Sequence, residues 1–164
     1  MRNLKLVLAY DGSEFSGWQV QPDAATIQGT LASAIGRLTG EKVLPQGSGR
    51  TDAGVHALAQ VASFTVESPI PAENLTKALN DILPASIRVL EVTEAPAEFH
   101  ARKSARAKTY RYRKLRSPIC PPFLLRRDPS QSCRWRVRAP DRHRPVSPVE
   151  VEVGVMLTDR KSVV

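Results

Sequence analysis

Cysteine is nearly missing from this chain: Cys120 and Cys133 are its two examples in 164 residues. They share no C-x-x-C spacing and have no histidine pair beside them. That excludes the usual zinc signatures and a disulfide framework, so neither a metal nor an oxidising compartment is expected, and a reduced, cytoplasmic setting fits. Long apolar runs are missing too. No stretch approaches the ~18 apolar residues of a membrane span, and the run within Met1–Gly12 is too short for a signal peptide. A soluble protein with no membrane partner is expected. Basic charge, by contrast, is plentiful: 24 Lys and Arg stand against 16 Asp and Glu, a net charge of +8. Such an excess suits a polyanionic partner, because neutralising phosphates releases condensed counterions, although it also serves a surface kept soluble by charge. The length fits one domain, with or without an unstructured appendage.

Leu4, Leu6 and Leu8 alternate with Lys5, Val7 and Ala9 and predict a strand over about 4–10, closed by a turn at Tyr10-Asp11-Gly12-Ser13. Thr26 reads as an N-cap, Ile27, Leu31, Ile35 and Leu38 follow at helical spacing, and Gly40 stands where a helix ends. A short strand is expected near Lys42-Val43-Leu44, then a Gly-rich loop at Gly47-Ser48-Gly49, then a strand over roughly 57–66. Pro71 opens a second helix with Leu75, Leu79 and Ile82 on one stripe, Pro84 closes it, and Ile87 to Val92 predicts another strand. The order is β-α-β-β-α-β, an α+β arrangement of the ferredoxin-like kind.

From Ala105 to Leu115 the chain reads as extended, with Tyr110 and Tyr112 set among Arg106, Lys108, Arg111, Arg113, Lys114 and Arg116. Two readings stand side by side: stacking combined with phosphate contacts, or an edge strand kept soluble by charge. Beyond Leu124 the character changes. Residues 126–144 hold seven arginines and no lysine, prolines recur at 129, 140, 145 and 148, and no persistent apolar period is read. The segment 125–164 is therefore expected to be an irregular tail, separate from a domain at 1–124. It is either a disordered RNA-binding extension or sequence foreign to the domain, as a frame change in GC-rich DNA would produce. The second reading is favoured.

The sharpest local feature is Gly49-Arg50-Thr51-Asp52-Ala53-Gly54-Val55-His56-Ala57. Closely spaced glycines let a backbone turn tightly and approach a ligand. Arg50 stands two residues before Asp52, a spacing that in an extended loop puts both side chains on one side. An adjacent guanidinium favours the ionised carboxylate. A carboxylate with no metal cluster around it suits nucleophilic or acid–base work at carbon, or else simply caps amides in a turn. His56 is expected to buttress this loop, Trp18 to be core, and Asp11 to organise its turn. For His100, a bond to backbone and a contact with RNA are both open.

The nine residues Gly49 to Ala57 resemble the catalytic segment of the TruA family of tRNA pseudouridine synthases. Three further stretches agree in the same order. The first is Tyr10-Asp11-Gly12, Phe15, Gly17-Trp18-Gln19 and Gln21, with Thr26 and Gln28 after them; the second is Asn80 with Leu83-Pro84. The third is Phe99-His100-Ala101-Arg102, with Ser104-Ala105 and Tyr110-Arg111-Tyr112. The resemblance implies a pseudouridine synthase fold, of which residues 1–124 are one of two halves. It implies isomerisation of uridine to pseudouridine at tRNA positions 38 to 40, without a cofactor, by a homodimer. It makes Asp52 the essential carboxylate, acting at C1′ or on the 2′ proton. Tyr110 becomes the contact to the target base, and Arg50 pairs with Asp52 and helps hold a flipped nucleotide, since a base within a stem must leave it to be reached. Arg102, Arg106, Lys108 and Arg111 are then expected to meet RNA phosphates. The second half of the family fold does not align with 125–164, so low activity is expected of the chain by itself. Two other function classes remain: a non-catalytic RNA-binding module, which the same fold can form, and an inactive truncated fragment.

Overall fold

The computed structural model describes residues 1–110 and 156–158. Strand β1 (Arg2–Tyr10) buries Leu4, Leu6, Leu8 and Tyr10 at every second position, as the two-residue period requires when one face meets a core. Helix α1 (Ile27–Thr39) begins where Thr26, in extended conformation, accepts the Gly29 amide on its hydroxyl. It stops where Gly40 turns left-handed at φ 75°. Both ends stand where the sequence placed them; a side-chain N-cap of this kind contributes about 1 kcal/mol. Helix α2 (Ala72–Ile82) follows Pro71 and buries Leu75 and Leu79.

Strands β2 (Gln46–Gly47), β3 (Ala57–Val66) and β4 (Ile87–Ala95) join β1 in an antiparallel sheet of order β4-β1-β3-β2. This is the expected α+β ferredoxin-like topology, with β1 between its two longest partners. Leu4, Leu6 and Leu8 face Ile27, Leu31 and Ile35 of α1 and Leu75 and Leu79 of α2 in one hydrophobic core. The expected strand at Lys42–Leu44 is not formed. Pairing with β3 starts only after Pro45, at Gln46, while the Pro45 carbonyl accepts the Gln28 side-chain amide.

The pairing of β1 slips by one residue against β3 between Leu8 and Tyr10, and against β4 between Val7 and Leu8. These bulges leave Leu58 and Leu90 each 53% exposed although both lie within strands. Over the sheet face opposite the helices runs the segment after β4. The Asn3 amide donates to the carbonyls of Pro96 and Phe99, and the Ser63 hydroxyl accepts the Ala101 amide. Strand β5 (Ala107–Thr109) pairs with β6 (Met156–Thr158), which runs parallel to β3. A strand at Met156–Thr158 was not expected of an irregular tail. The run of alternating Val149, Val151, Val153 and Val155 before it carries the two-residue period that the arginine and proline bias obscures. The boundary at residue 124 lies outside the described residues.

Candidate active site

The loop between β2 and β3 is fastened at almost every residue. Gly47 crosses the buried Trp18 ring so closely that a Cβ there would stand 2.5–2.8 Å from ring atoms. The Ser48 amide donates to the Val61 carbonyl (2.8 Å) and its hydroxyl to Gln60 Oε1 (2.8 Å). The Gln60 Nε2 in turn donates to the Gly49 carbonyl (2.7 Å). Thr51 is buried; its carbonyl accepts the Trp18 amide (2.9 Å) and its hydroxyl meets the Tyr10 hydroxyl (2.9 Å). Burial pushes the Tyr10 phenol up to about 12 despite the opposing hydrogen bonds from Thr51 and Gln60. With Thr51 turned inward, Arg50 and Asp52 on either side of it are both exposed.

Arg50, Thr51, Asp52 and Ala53 form one wall of a cavity of about 370 Å3, completed by Ser16, Trp18, Gln19 and Gln21 from the segment after β1. The expected sharing of one side by Arg50 and Asp52 is thus present, but no ion pair joins them. Both face solvent, where holding two flexible charges together gains little. Gly17, with φ +90°, closes the gap between the two walls: a Cβ there would meet the Thr51 carbonyl oxygen at 2.7 Å and the Asp52 carbonyl carbon at 3.2 Å.

The far end of the loop is tied to the turn after β1. The Val55 amide donates to the Asp52 carbonyl and the Gly54 amide to the Phe15 carbonyl. His56 Nδ1 lies 3.2 Å from the Gly12 amide nitrogen and 2.9 Å from Asp11 Oδ1. It accepts the amide when unprotonated and donates to the carboxylate when it carries the proton. His56 therefore buttresses the loop as its sequence position suggested. Asp11 Oδ1 also accepts the Ser13 amide and hydroxyl, the organised turn that was expected. Partial burial acts to raise the Asp11 carboxyl, but Ser13 and the His56 ring together hold it below its ordinary value. His100 Nδ1 accepts the Arg102 backbone amide, one of its two open readings.

Tyr110 directly follows β5 and is 54% exposed; Arg102, Arg106 and Lys108 are exposed along the same segment. Lys108 Nζ lies 3.6 Å from where a Cβ on Gly49 would stand, so β5 passes beside the loop. Tyr110, Arg102 and Arg106 are not among the described residues that line the cavity, and Arg111 lies outside the described residues. Sequence reasoning missed Gln60 and Tyr10 as supports of the loop. The available signal was a lone glutamine amid Ala57, Ala59, Val61 and Ala62 in a buried strand. Among the described residues no group of three or more His, Cys, Asp or Glu is placed to hold a metal ion. None of their helices is long and apolar enough to cross a membrane.

A half-sheet of this topology carrying a glycine-bound Arg-Thr-Asp loop beside an open cavity places the chain in one class: it belongs to the tRNA pseudouridine synthase family, whose profile matches residues 6–102. Among curated relatives, the chain is 57% identical over 123 residues to the tRNA pseudouridine synthase A of Solibacter usitatus, covering 75% of this chain and 51% of that protein. It is 48% identical over 142 residues to the protein of the same name from Moorella thermoacetica (84% of this chain, 54% of that one). With the Caldicellulosiruptor bescii protein it shares 54% over 112 residues (68% and 46%). The chain spans about half the length of the curated relatives it matches.

Proposed function

We propose that this chain carries the catalytic carboxylate of a tRNA pseudouridine synthase, an isomerase converting uridine to pseudouridine at tRNA positions 38 to 40. The observation that carries the reading is the cavity of about 370 Å3 with Arg50 and Asp52 on one wall and Trp18, Gln19 and Gln21 on the other. That volume lies in the usual range of ~300–1,000 Å3 for small-molecule sites, and a single flipped nucleoside is a ligand of that class. In the reaction the C1′–N1 bond breaks, the uracil turns, and C1′ bonds to C5. The C5 proton leaves and N1 gains one, so atoms balance without a redox partner or cofactor. Asp52, exposed at the cavity and rigidly backed, serves either by attack at C1′ or by taking the 2′ proton. Arg50, free of an ion pair with Asp52, is available to the flipped nucleotide's phosphate or to the space the base has left. Tyr110 stacks against the base, and Arg102, Arg106, Lys108 and Arg111 hold backbone phosphates. The working protein is a cytoplasmic homodimer acting on tRNA.

The test is Asp52→Asn, which keeps shape and removes the anionic oxygen. In the chain joined to the second half of the family fold, tritium release from C5-labelled tRNA is expected to stop while tRNA affinity stays within about threefold, the pattern of a group used only in the chemical step. Turnover at the unsubstituted rate would remove Asp52 from this role.

A further inference from the structure

Gln60 lies on β3 just past the bulge at Leu58–Ala59, opposite Leu8 of β1, and is fully buried at 0% exposure. Beside it stand the apolar Leu8 and Ala62 and the buried hydroxyl of Tyr10, so apolar packing alone has no need of an amide there. A buried amide is costly unless its donor and acceptor ends are both bonded. Both ends of this one reach the loop: Oε1 takes the Ser48 hydroxyl and Nε2 gives a proton to the Gly49 carbonyl, and the side chain also bonds the Tyr10 hydroxyl on β1. The acceptor-only carbonyl of Gly49 fixes which way the amide faces. Gln60 does not line the cavity, so it cannot touch a bound nucleoside. We propose that Gln60 is a positioning residue of the isomerisation, holding Ser48 and Gly49 so that the following Arg50 and Asp52 stand at a fixed place on the cavity wall. The proposal rests on the reading of Asp52 as the reactive carboxylate.

Two substitutions separate positioning from mere packing. Gln60→Leu fills the same space without either hydrogen bond. Gln60→Glu retains a donor toward the Gly49 carbonyl only while its carboxyl is protonated. Burial raises such a carboxyl, so the donor is present at low pH and lost as pH rises through the raised value. Tyr10 on β1 stays neutral throughout, because its phenol is pushed up to about 12. Lys108 beside Gly49 and His56 at the far end of the loop are common to all three proteins, so comparison at equal pH cancels them. The expected readout in the full chain is amide-exchange protection of residues 48–53. Unsubstituted protein, measured at each pH from about 5 to about 9, is the reference that carries any change passed to the loop through His56. Gln60→Leu loses about tenfold at every pH. Gln60→Glu matches the unsubstituted chain at the acid end and the leucine variant at the alkaline end. Protection of Leu4–Leu8 stays unchanged in all three. Single-turnover isomerisation follows the same order, with losses approaching a hundredfold for a displacement of about 1 Å, while tRNA affinity moves by less than about threefold. Unchanged loop protection in Gln60→Leu, the absence of a pH step in Gln60→Glu, or a parallel fall of affinity and rate would each overturn the proposal. Asp52→Asn run alongside keeps the two readings apart. If it turns over normally, the reading of Asp52 as the reactive carboxylate falls, and the exchange data still decide what Gln60 does.

Discussion

Replacing Gly17 with alanine places one methyl group into the seam between the two walls of the cavity. The new Cβ would stand 2.7 Å from the Thr51 carbonyl oxygen, 3.2 Å from the Asp52 carbonyl carbon and 3.3 Å from the Ala53 nitrogen. All three are backbone atoms, so no flexible side chain can swing away. Restoring an ordinary contact of about 3.5 Å moves the peptide carrying Asp52 by roughly 0.8 Å. The left-handed φ of +90° costs alanine a further 1–2 kcal/mol or so. Stretching the Trp18 N–H bond to the Thr51 carbonyl adds up to about 1 kcal/mol. The sum, about 1–3 kcal/mol, lowers Tm by on the order of 4–20 °C for a domain of this size. Because the displacement approaches the ~1 Å that can cost a hundredfold, the isomerisation rate falls between about tenfold and a hundredfold. Single-turnover tritium release from C5-labelled tRNA, run well below the variant's Tm, measures the rate, and filter binding measures affinity. A variant with rate within about threefold of the unsubstituted chain and Tm within about 2 °C would refute the reasoning.

Two further outcomes are expected. Removing one of Arg102, Arg106, Lys108 or Arg111 that meets a phosphate reduces the slope of log tRNA affinity against log salt by about 0.7–0.9; an unchanged slope in all four places RNA elsewhere. The Asp11 carboxyl, held below its ordinary value of 3.8 by Ser13 and His56, contributes stability that is complete above that value and is lost as pH falls through its lower folded value. Asp11→Asn should therefore lower the urea midpoint near neutrality while leaving it nearly unchanged at the acid end, so that the acid limb flattens. An unchanged midpoint near neutrality would show that the pair contributes nothing.

Much of the fold was readable along the chain because it rests on local chemistry. Thr26 and Gly40 bound α1 through their own backbone conformations and hydrogen bonds, and the leucines of β1 declare a buried face by spacing alone. What failed to read locally is set by other parts of the chain. Val43 and Leu44 have strand-like residues, yet pairing begins past Pro45 because the position of β3 decides where a partner lies. Arg50 and Asp52 were placed on one side correctly, since Thr51 between them turns inward, but their pairing was not settled by spacing, because both reach solvent. Gln60 is 11 residues from the Gly49 carbonyl it holds. Its role exists only once β3 has folded beneath the loop.

The central place of β1 also shapes how the chain is made. Arg2 pairs with Val66, and Asn3 with Ala95, so β1, synthesised before both of its partners, can complete its pairing only after β4. At a synthesis rate of about 5–20 residues per second, Leu4, Leu6 and Leu8 leave the ribosome roughly 3–20 s before both partners follow. For that interval the row of leucines that becomes the middle of the core is a sticky segment of nascent chain. Lys5, set between them in the same strand, keeps one charge there until folding arrives.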